Sequence, residues 1–374
     1  MAYFFVSSRR ILDIDNNLKE TSLYSQHLTL NAKIVDFAGW AMPIQYNSIL
    51  AEAKAVRSSS GIFDISHMGR IEISGQNATS FLNKVVTFDV MKMANNQAKY
   101  GFICSVNGGI LDDVILYKIL TNQYLLVPNA SNKHSILQWL HKWAPSSQID
   151  IKDNTETSSM ISVQGPMAIQ ILNTTFDEDI STLKYFHSKS FTYVNTNIFI
   201  AQTGYTGETG FEILLDNSIT AKVWQQLIVN GSIPCGLGAR DILRLEAGLP
   251  LYGNELTLDV NPYQANLGKF VTLNKTGNIA DNSLNSLSKL PQSTHLVGFK
   301  MLEKAIPRTD NKIFNELNQE IGYVTSGSFS PYLDIGIGMG YVQRKYLNSS
   351  IKIAIRNKMV TAKIVKLPFY TKSK

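Results

Sequence analysis

The sequence predicts an α+β fold: two α+β units in tandem, followed by a small all-β domain. Three observations predict it. Between residues 21 and about 275, segments of helical apolar spacing alternate with short strands, and the pattern runs through twice. From residue 295 onward, short strands follow one another at near-regular spacing with turn residues between them, which suits a small barrel or sandwich. The 374 residues, 44% hydrophobic and 17% charged, suffice for two or three domains with separate cores.

In chain order, Asn47-Ser48 offers a cap for a helix through Ile49, Ala53 and Val56, with Glu52 early and Lys54 and Arg57 late. Residues 70–74 alternate as a half-buried strand, and 77–86 return to helix with Phe81, Leu82 and Val85 on one face. Residues 113–120 and 124–127 form a strand pair around Thr121-Asn122-Gln123. Asn132 caps a helix carrying Ile136, Leu137, Leu140 and Trp143, which stops before Pro145. The second unit opens with a strand at 160–163, and Pro166 begins a helix through Ile169 and Leu172. Residues 191–201 lead to a Gly-rich turn and a strand at 211–215; Ser218 then caps a helix with Val223, Trp224 and Leu227, ended by Gly231. A helix over 242–248 follows. Residues 275–294, rich in Asn, Ser, Leu and Lys, read as a linker or exposed crossover, and strands are expected at 295–301, 320–324, 336–342, 351–355 and 360–365.

Several function classes are disfavoured. No apolar run approaches the ~20 residues that span a bilayer. Cys104 and Cys235 stand far apart in no Cys-x-x-Cys pattern, so a disulfide framework is not expected and a reducing compartment fits. The six histidines are scattered, and His67 has no partner at ligand spacing, so no metal is expected. The 35 basic and 29 acidic residues leave a net charge of +6, spread along the chain; this suits attraction to an acidic partner better than nucleic-acid binding. The N-terminal twenty residues lack a secretory h-region, and Asp13, Asp15 and Glu20 argue against an organelle transit peptide, so a simple extension is expected.

Two turns carry chemistry. Thr203-Gly204-Tyr205-Thr206-Gly207-Glu208-Thr209-Gly210 holds three glycines within seven residues, a loop whose glycines open backbone angles closed to other residues. It delivers Glu212 onto a strand, where a carboxylate can accept two parallel N–H bonds from a 2-amino-pyrimidinone edge. Asp112-Asp113 follows Gly108-Gly109 and opens an apolar strand, so the two side chains point to opposite faces. With Asp112 turned to solvent beside the turn, Asp113 heads inward, where a buried carboxylate needs partners or a raised pKa. Arg240, at a helix start, is badly placed for the helix dipole and well placed for a carboxylate or a ligand; an ion pair with Asp241 or Glu246 is the alternative. Asn129, after a strand, is either a ligand contact or a turn residue. Trp40 reads as core, and no Gly-x-Ser-x-Gly context supports a hydrolase.

Asp36-Phe37-Ala38-Gly39-Trp40, Phe63-Asp64-Ile65-Ser66-His67-Met68-Gly69, the 107–113 and 203–212 turns, Gly236-Leu237-Gly238-Ala239-Arg240-Asp241, Leu251-Tyr252-Gly253 and 325–331 occur in order. As an ordered set, from about Thr21 to Pro368-Phe369-Tyr370, they closely resemble the aminomethyltransferase (T-protein) family of the glycine cleavage system. The resemblance implies a three-domain cloverleaf: two folate-binding α+β units at 21–150 and 151–275, a connection at 276–294 and a C-terminal β-barrel at 295–374, behind an extension at 1–20. It implies that Asp113 is catalytic beside the reacting nitrogens of tetrahydrofolate, and that Glu212, Arg240, Met68, Tyr100, Asn129 and Tyr370 bind the folate or substrate. It implies transfer of an aminomethyl group from the lipoylated H-protein to tetrahydrofolate, with no metal, in the cytoplasm, or in the mitochondrial matrix were the extension a transit peptide.

The chain also departs from the family pattern. Glu208-Thr209-Gly210 replaces Glu-Asp-Gly, Gln264-Ala265-Asn266 stands where many members carry a Glu and a Gly, and the stretch at 278–281 is degraded. A folate-dependent demethylase of a small sulfonium or amine substrate shares the scaffold and is the enzymatic alternative. A folate-binding assembly factor is the non-catalytic one, although its Cys-containing motif is missing here, as is any flavin-binding Gly-x-Gly-x-x-Gly half.

Overall fold

The computed structural model describes residues 18–145, 148–275 and 277–372. Most of the N-terminal extension, with the question of a targeting segment, lies outside the described residues. The chain divides into two units, one formed by residues up to 72 together with 152–241, the other by 73–151 and the residues from 242 onward.

In the first unit a six-stranded sheet runs in the order Ser188–Tyr193, Thr196–Ala201, Gly210–Asp216, Ser158–Gln164, Gly61–Asp64, Ile233–Pro234. All pairs are antiparallel except the last, where Ile233 lies opposite Gly61. The strand Gly61–Asp64 is buried at every position, so it lacks the alternation by which a strand is read from sequence. Helices Ala168–Phe176 and Asn217–Val229 pack Ile171, Leu172, Phe176, Val223, Trp224 and Leu227 into a core with Ile161, Val163, Ile200, Phe211 and Ile213.

Helix caps differ from expectation. The cap of Asn217–Val229 is Asp216, whose Oδ1 accepts from the Ser218 N–H at 2.8 Å; Ser218 is already inside the helix. Ser48 makes no side-chain cap bond for Ile49–Ser58. Glu52 instead is buried, and its Oε1 accepts from the N–H groups of Tyr46 and Asn47 while its Oε2 accepts from that of Gly236. The helix expected from 242 begins at Leu237, because Gly236 and Gly238 serve close packing: a Cβ on either would lie within 2.5 Å of Ile44 or Ile49.

In the second unit a sheet runs Gln97–Cys104, Ile110–Leu120, Gln123–Val127, Ile71–Ser74, Asp150–Asp153, the last two strands carrying the chain across the division. The strand expected from 113 begins at Ile110. Helix Lys133–Trp143 ends as expected, with Ala144 extended ahead of Pro145.

The C-terminal strands close into a six-stranded barrel: Thr294–Met301, Ile335–Gln343, Glu320–Ser330, Lys312–Phe314, Ser350–Ile355, Lys358–Val365. Closure, not a sandwich, results because Thr294–Met301 pairs on one edge with Ile335–Gln343 and on the other with Lys358–Val365. The expected strand 320–324 runs on to Ser330 through a register shift between Val324 and Ser326. The stretch read as a linker holds a helix, Asp281–Lys289, with Ala280 and Leu284 buried four residues apart against the core around Phe102, Cys104 and Ile110. Its polar composition had masked that narrow apolar stripe.

Candidate functional site

In the first unit the Gly-rich loop is built around a side chain from another strand. Only Gly207 uses the left-handed region, with φ +80°; Gly204 and Gly210 lie outside it. Those two are glycine for want of room, because a Cβ on either would lie 2.1 Å from Oε1 of Gln164. Gln164 ends the strand Ser158–Gln164 and is wholly buried. Its Nε2 donates to Ser162 Oγ at 2.8 Å and to the Thr203 carbonyl at 3.2 Å, and its Oε1 accepts from Thr206 Oγ1 at 2.9 Å. From helix Ile49–Ser58, Arg57 donates to the Thr206 carbonyl at 2.7 Å and to Glu208 at 3.0 Å, a nearly buried ion pair that pins the loop from its other side.

Glu212 is the third residue of strand Gly210–Asp216 and is 7% exposed. Its Oε2 accepts from Thr203 Oγ1 at 2.7 Å. The guanidinium of Arg240, in the first turn of its helix, lies over the Tyr205 ring at 4.6 Å. Its Nη1 is buried without a hydrogen-bond partner. Burial pulls this guanidinium below its usual pKa range, and the charges of Glu212 and Tyr205 work against that. One carboxylate, one guanidinium and one aromatic face thus act on each other here.

The Ser66-His67-Met68-Gly69 turn lies in the same unit. Met68 is half-buried; its N–H donates to the Ile65 carbonyl at 3.0 Å, and its carbonyl accepts from Arg70 Nη1 at 2.5 Å. Arg70, fully buried, also donates to the Ser66 and Ser158 carbonyls, so it ties the turn to the neighbouring segment. His67 is buried edge-on to Phe37 at 5.2 Å, and burial with the nearby Arg240 and Arg70 charges pushes its pKa down to about 3. It is therefore a neutral imidazole at physiological pH. Among the described residues, no His, Cys, Asp and Glu cluster is placed to hold a metal ion.

In the second unit the Gly108-Gly109 turn ends where Ile110 donates to the Val260 carbonyl, and a Cβ on Gly109 would lie 1.9 Å from the Leu258 carbonyl oxygen. The two aspartates that follow do point to opposite faces, but Asp112 is not turned to solvent as expected. Asp112 is completely buried and Asp113 half-buried. Asp112 lies against no solvent because three N–H groups converge on it: Asn129 Nδ2 at 2.8 Å and Asn132 Nδ2 at 2.6 Å on Oδ1, and the Asn129 N–H at 2.9 Å on Oδ2.

Asp113 accepts from the Tyr100 hydroxyl at 3.0 Å on Oδ2 and from Asn129 Nδ2 at 2.8 Å on Oδ1. Asn129 therefore bridges both carboxylates through one amide nitrogen. Burial raises Asp113 to about 6, against the hydrogen bonds from Tyr100 and Asn129; burial and the neighbouring Asp113 charge push Asp112 up as well. The Tyr100 ring is held edge-on by Phe102 and Phe270 at 5.7 and 4.9 Å. Tyr370 is half-buried, with its N–H on the Glu246 carbonyl and its ring edge-on to Tyr332 at 4.7 Å.

The structure thus brings Asp113, Tyr100 and Asn129 together in one unit, and Glu212 and Arg240 together in the other. Sequence reasoning passed over Gln164, Thr203, Asn132 and Tyr205. A signal existed for Gln164, a wholly polar side chain closing the apolar run Met160-Ile161-Ser162-Val163. Asn132 had been read only as a helix cap, and its Nδ2 turns out to serve Asp112.

Comparison with known proteins identifies the family. The family model described as the GCVT N-terminal domain matches residues 23–275, and that of the glycine cleavage T-protein C-terminal barrel domain matches 295–371. An aminomethyltransferase of Caldanaerobacter subterraneus subsp. tengcongensis is 42% identical over 365 residues, covering 96% of this chain and 97% of the relative. One from Bacillus pumilus is 39% identical, covering 96% and 100%. The crystal structure of glycine cleavage system aminomethyltransferase T from Bartonella henselae superposes with a TM-score of 0.89 at 32% identity, over 94% of this chain and 98% of that one. With two family models together matching residues 23–275 and 295–371 and identity near 40% over almost the whole length, this chain belongs to the aminomethyltransferase family, the T-proteins of the glycine cleavage system.

Proposed function

We propose that this transferase moves an aminomethyl group from the lipoyl arm of the H-protein onto tetrahydrofolate, giving 5,10-methylenetetrahydrofolate, ammonia and the dihydrolipoyl arm. The observation that carries the reading is Asp113: a half-buried carboxylate raised to about 6, aimed by a tyrosine hydroxyl and an asparagine amide. In the reaction N5 of the folate bonds to the methylene carbon as the C–S bond breaks, and N10 closes the ring as ammonia leaves. The two protons lost from N5 and N10 end on the thiol and on ammonia. Asp113, ionised above about pH 6, orients these nitrogens and stabilises the iminium-like cation that develops between the two bond changes.

Glu212 accepts the N–H edge of the pterin, and Arg240, its guanidinium already desolvated, balances the charge of Glu212 and supplies a donor to the ligand. Met68 and Tyr100 wall the flat ring, Asn129 adds an amide contact, and Tyr370 contributes an aromatic surface. Positioning of this kind is the entropic part of catalysis. The cytoplasm is the compartment we infer, in keeping with two buried free thiols, Cys104 and Cys235.

The deciding experiment is release of ammonia and methylenetetrahydrofolate from aminomethylated H-protein; turnover only with a small sulfonium or amine methyl donor would point to the demethylase instead. Glu212→Ala is expected to weaken tetrahydrofolate binding by about 1.5–3 kcal/mol, the range for a hydrogen bond to a charged group. Calorimetric titration checks it, and an unchanged affinity would remove Glu212 from the site.

A net charge of +6 also implies steered encounter with an acidic lipoyl carrier. The apparent association rate should fall as salt approaches ~1 M, where the screening length is about 3 Å, and folate affinity should fall less. Turnover against carrier concentration at low and high salt reads this out, and a salt-independent rate would rule steering out.

A further inference from the structure

We propose that Gln164 and Thr203 form a positioning relay for Glu212, and that Gly204 and Gly210 are glycines because the relay fills the space their side chains would occupy. The inference rests on the reading of Glu212 as the pterin-binding carboxylate.

The chain of contacts is continuous within the first unit. Gln164 lies opposite Gly210 in the antiparallel ladder, and its side chain is wholly buried. Both amide hydrogens are spent, one on Ser162 Oγ and one on the Thr203 carbonyl, while its oxygen takes the Thr206 hydroxyl. Thr203 is thereby held at its carbonyl by Gln164 and at its N–H by the Ala201 carbonyl, at 3.0 Å. A β-branched residue with its backbone held at both ends has little χ1 freedom left, and its hydroxyl donates to Oε2 of Glu212 at 2.7 Å. Glutamate otherwise has much rotamer freedom to lose on binding. The relay restricts that freedom beforehand, so the carboxylate meets the ligand with its direction already set.

The same contacts explain why the loop tolerates nothing larger at 204 and 210. A Cβ at either position would meet the Gln164 amide at 2.1 Å. The neighbouring Gly207 has a different reason, a φ of +80° at which a substitution would strain the backbone.

The test compares Thr203→Val, which keeps shape and loses the donor, with Thr203→Ser, which keeps the donor. Tetrahydrofolate affinity, turnover at saturating folate and thermal midpoint are measured for both, for Glu212→Ala and for Thr203→Val combined with Glu212→Ala. The relay predicts a Kd about tenfold higher for Thr203→Val, the factor that about 1.4 kcal/mol represents. Turnover at saturating folate should fall less than affinity does, and Thr203→Ser should stay close to wild type. In the Glu212→Ala background, Thr203→Val should add nothing, since the two act as one unit.

Gly210→Ala should weaken folate binding in the wild type and cost little more once Gln164→Ala has made room for the methyl. If Gln164→Ala does not fold, the Thr203 series decides alone. Thr203→Val with wild-type affinity, beside a weakened Glu212→Ala, overturns the relay and leaves the folate reading intact. Glu212→Ala with unchanged affinity overturns both.

Discussion

Replacing Asp113 with Asn is expected to lower turnover by roughly 10²–10⁴-fold, the range for a positioned proton-handling group, with tetrahydrofolate binding retained. Burial lifts Asp113 to about 6, so wild-type turnover should be full above that pH and fall with one-proton dependence below it, a limb that the Asn variant should lack. A pH–rate profile of both proteins, beside a folate titration, checks this. The sign for stability is the opposite. The folded protein holds that proton more tightly than an unfolded chain, so the Asp113 charge opposes folding above about pH 6 and ceases to as the pH falls toward 4. Asp113→Asn should therefore be no less stable than wild type at pH 7.

Asp112→Asn is not the benign control that a solvent-facing residue would make. Three N–H groups converge on its two oxygens, so either orientation of an asparagine amide leaves an NH2 against a donor. A loss of about 1–3 kcal/mol in stability is expected, with a smaller fall in turnover through a displaced Asn129.

Arg244→Met is expected to destabilise the protein by about 3–5 kcal/mol, the largest stability effect we foresee, because it strands a buried carboxylate. Arg244 and Glu255 are paired at 2.8 Å with side chains 1% and 0% exposed. Arg244 also donates to the Leu249 carbonyl and to Ser326 Oγ at 2.7 Å, and Glu255 also accepts from the Leu251 N–H and the Thr325 hydroxyl. The pair thus fastens the 249–255 turn to the barrel strand Glu320–Ser330, and the Tyr341 hydroxyl adds a bond to the Glu255 carbonyl from the adjacent strand. Denaturant titration of Arg244→Met measures the loss. Combining it with Glu255→Leu should recover most of it, since an apolar pair of similar volume leaves no buried charge. A double variant as unstable as the single one would mean that the packing of Arg244, not the stranded charge, dominates.

How much of this was legible varies by element. Strands that alternate between core and surface were readable, as at 70–74, and so were helices with a broad apolar face, such as the one carrying Phe81, Leu82 and Val85. Gly61–Asp64 was not, because a strand buried at every position has no period to read. The helix Asp281–Lys289 was hidden by a composition in which only a narrow stripe is apolar. Glu212 and Asp113 could be singled out because each follows a glycine turn and enters a strand, a local pattern.

By itself, then, the sequence determined the fold class, the order of its parts, the family and which carboxylates stand at the ends of glycine turns, since all of these are written in short-range spacing. Only the tertiary structure decided which face of its strand Asp113 occupies, that one asparagine bridges two aspartates, and that two glycines of the 203–210 loop are kept small by a glutamine some forty residues earlier. The physical reason is the range of the contacts. Periodicity reports on residues a few positions apart, whereas Gln164 meets Thr203 only after strands distant in sequence have been brought side by side, and Asp113 meets Asn129 only once their hairpin has closed.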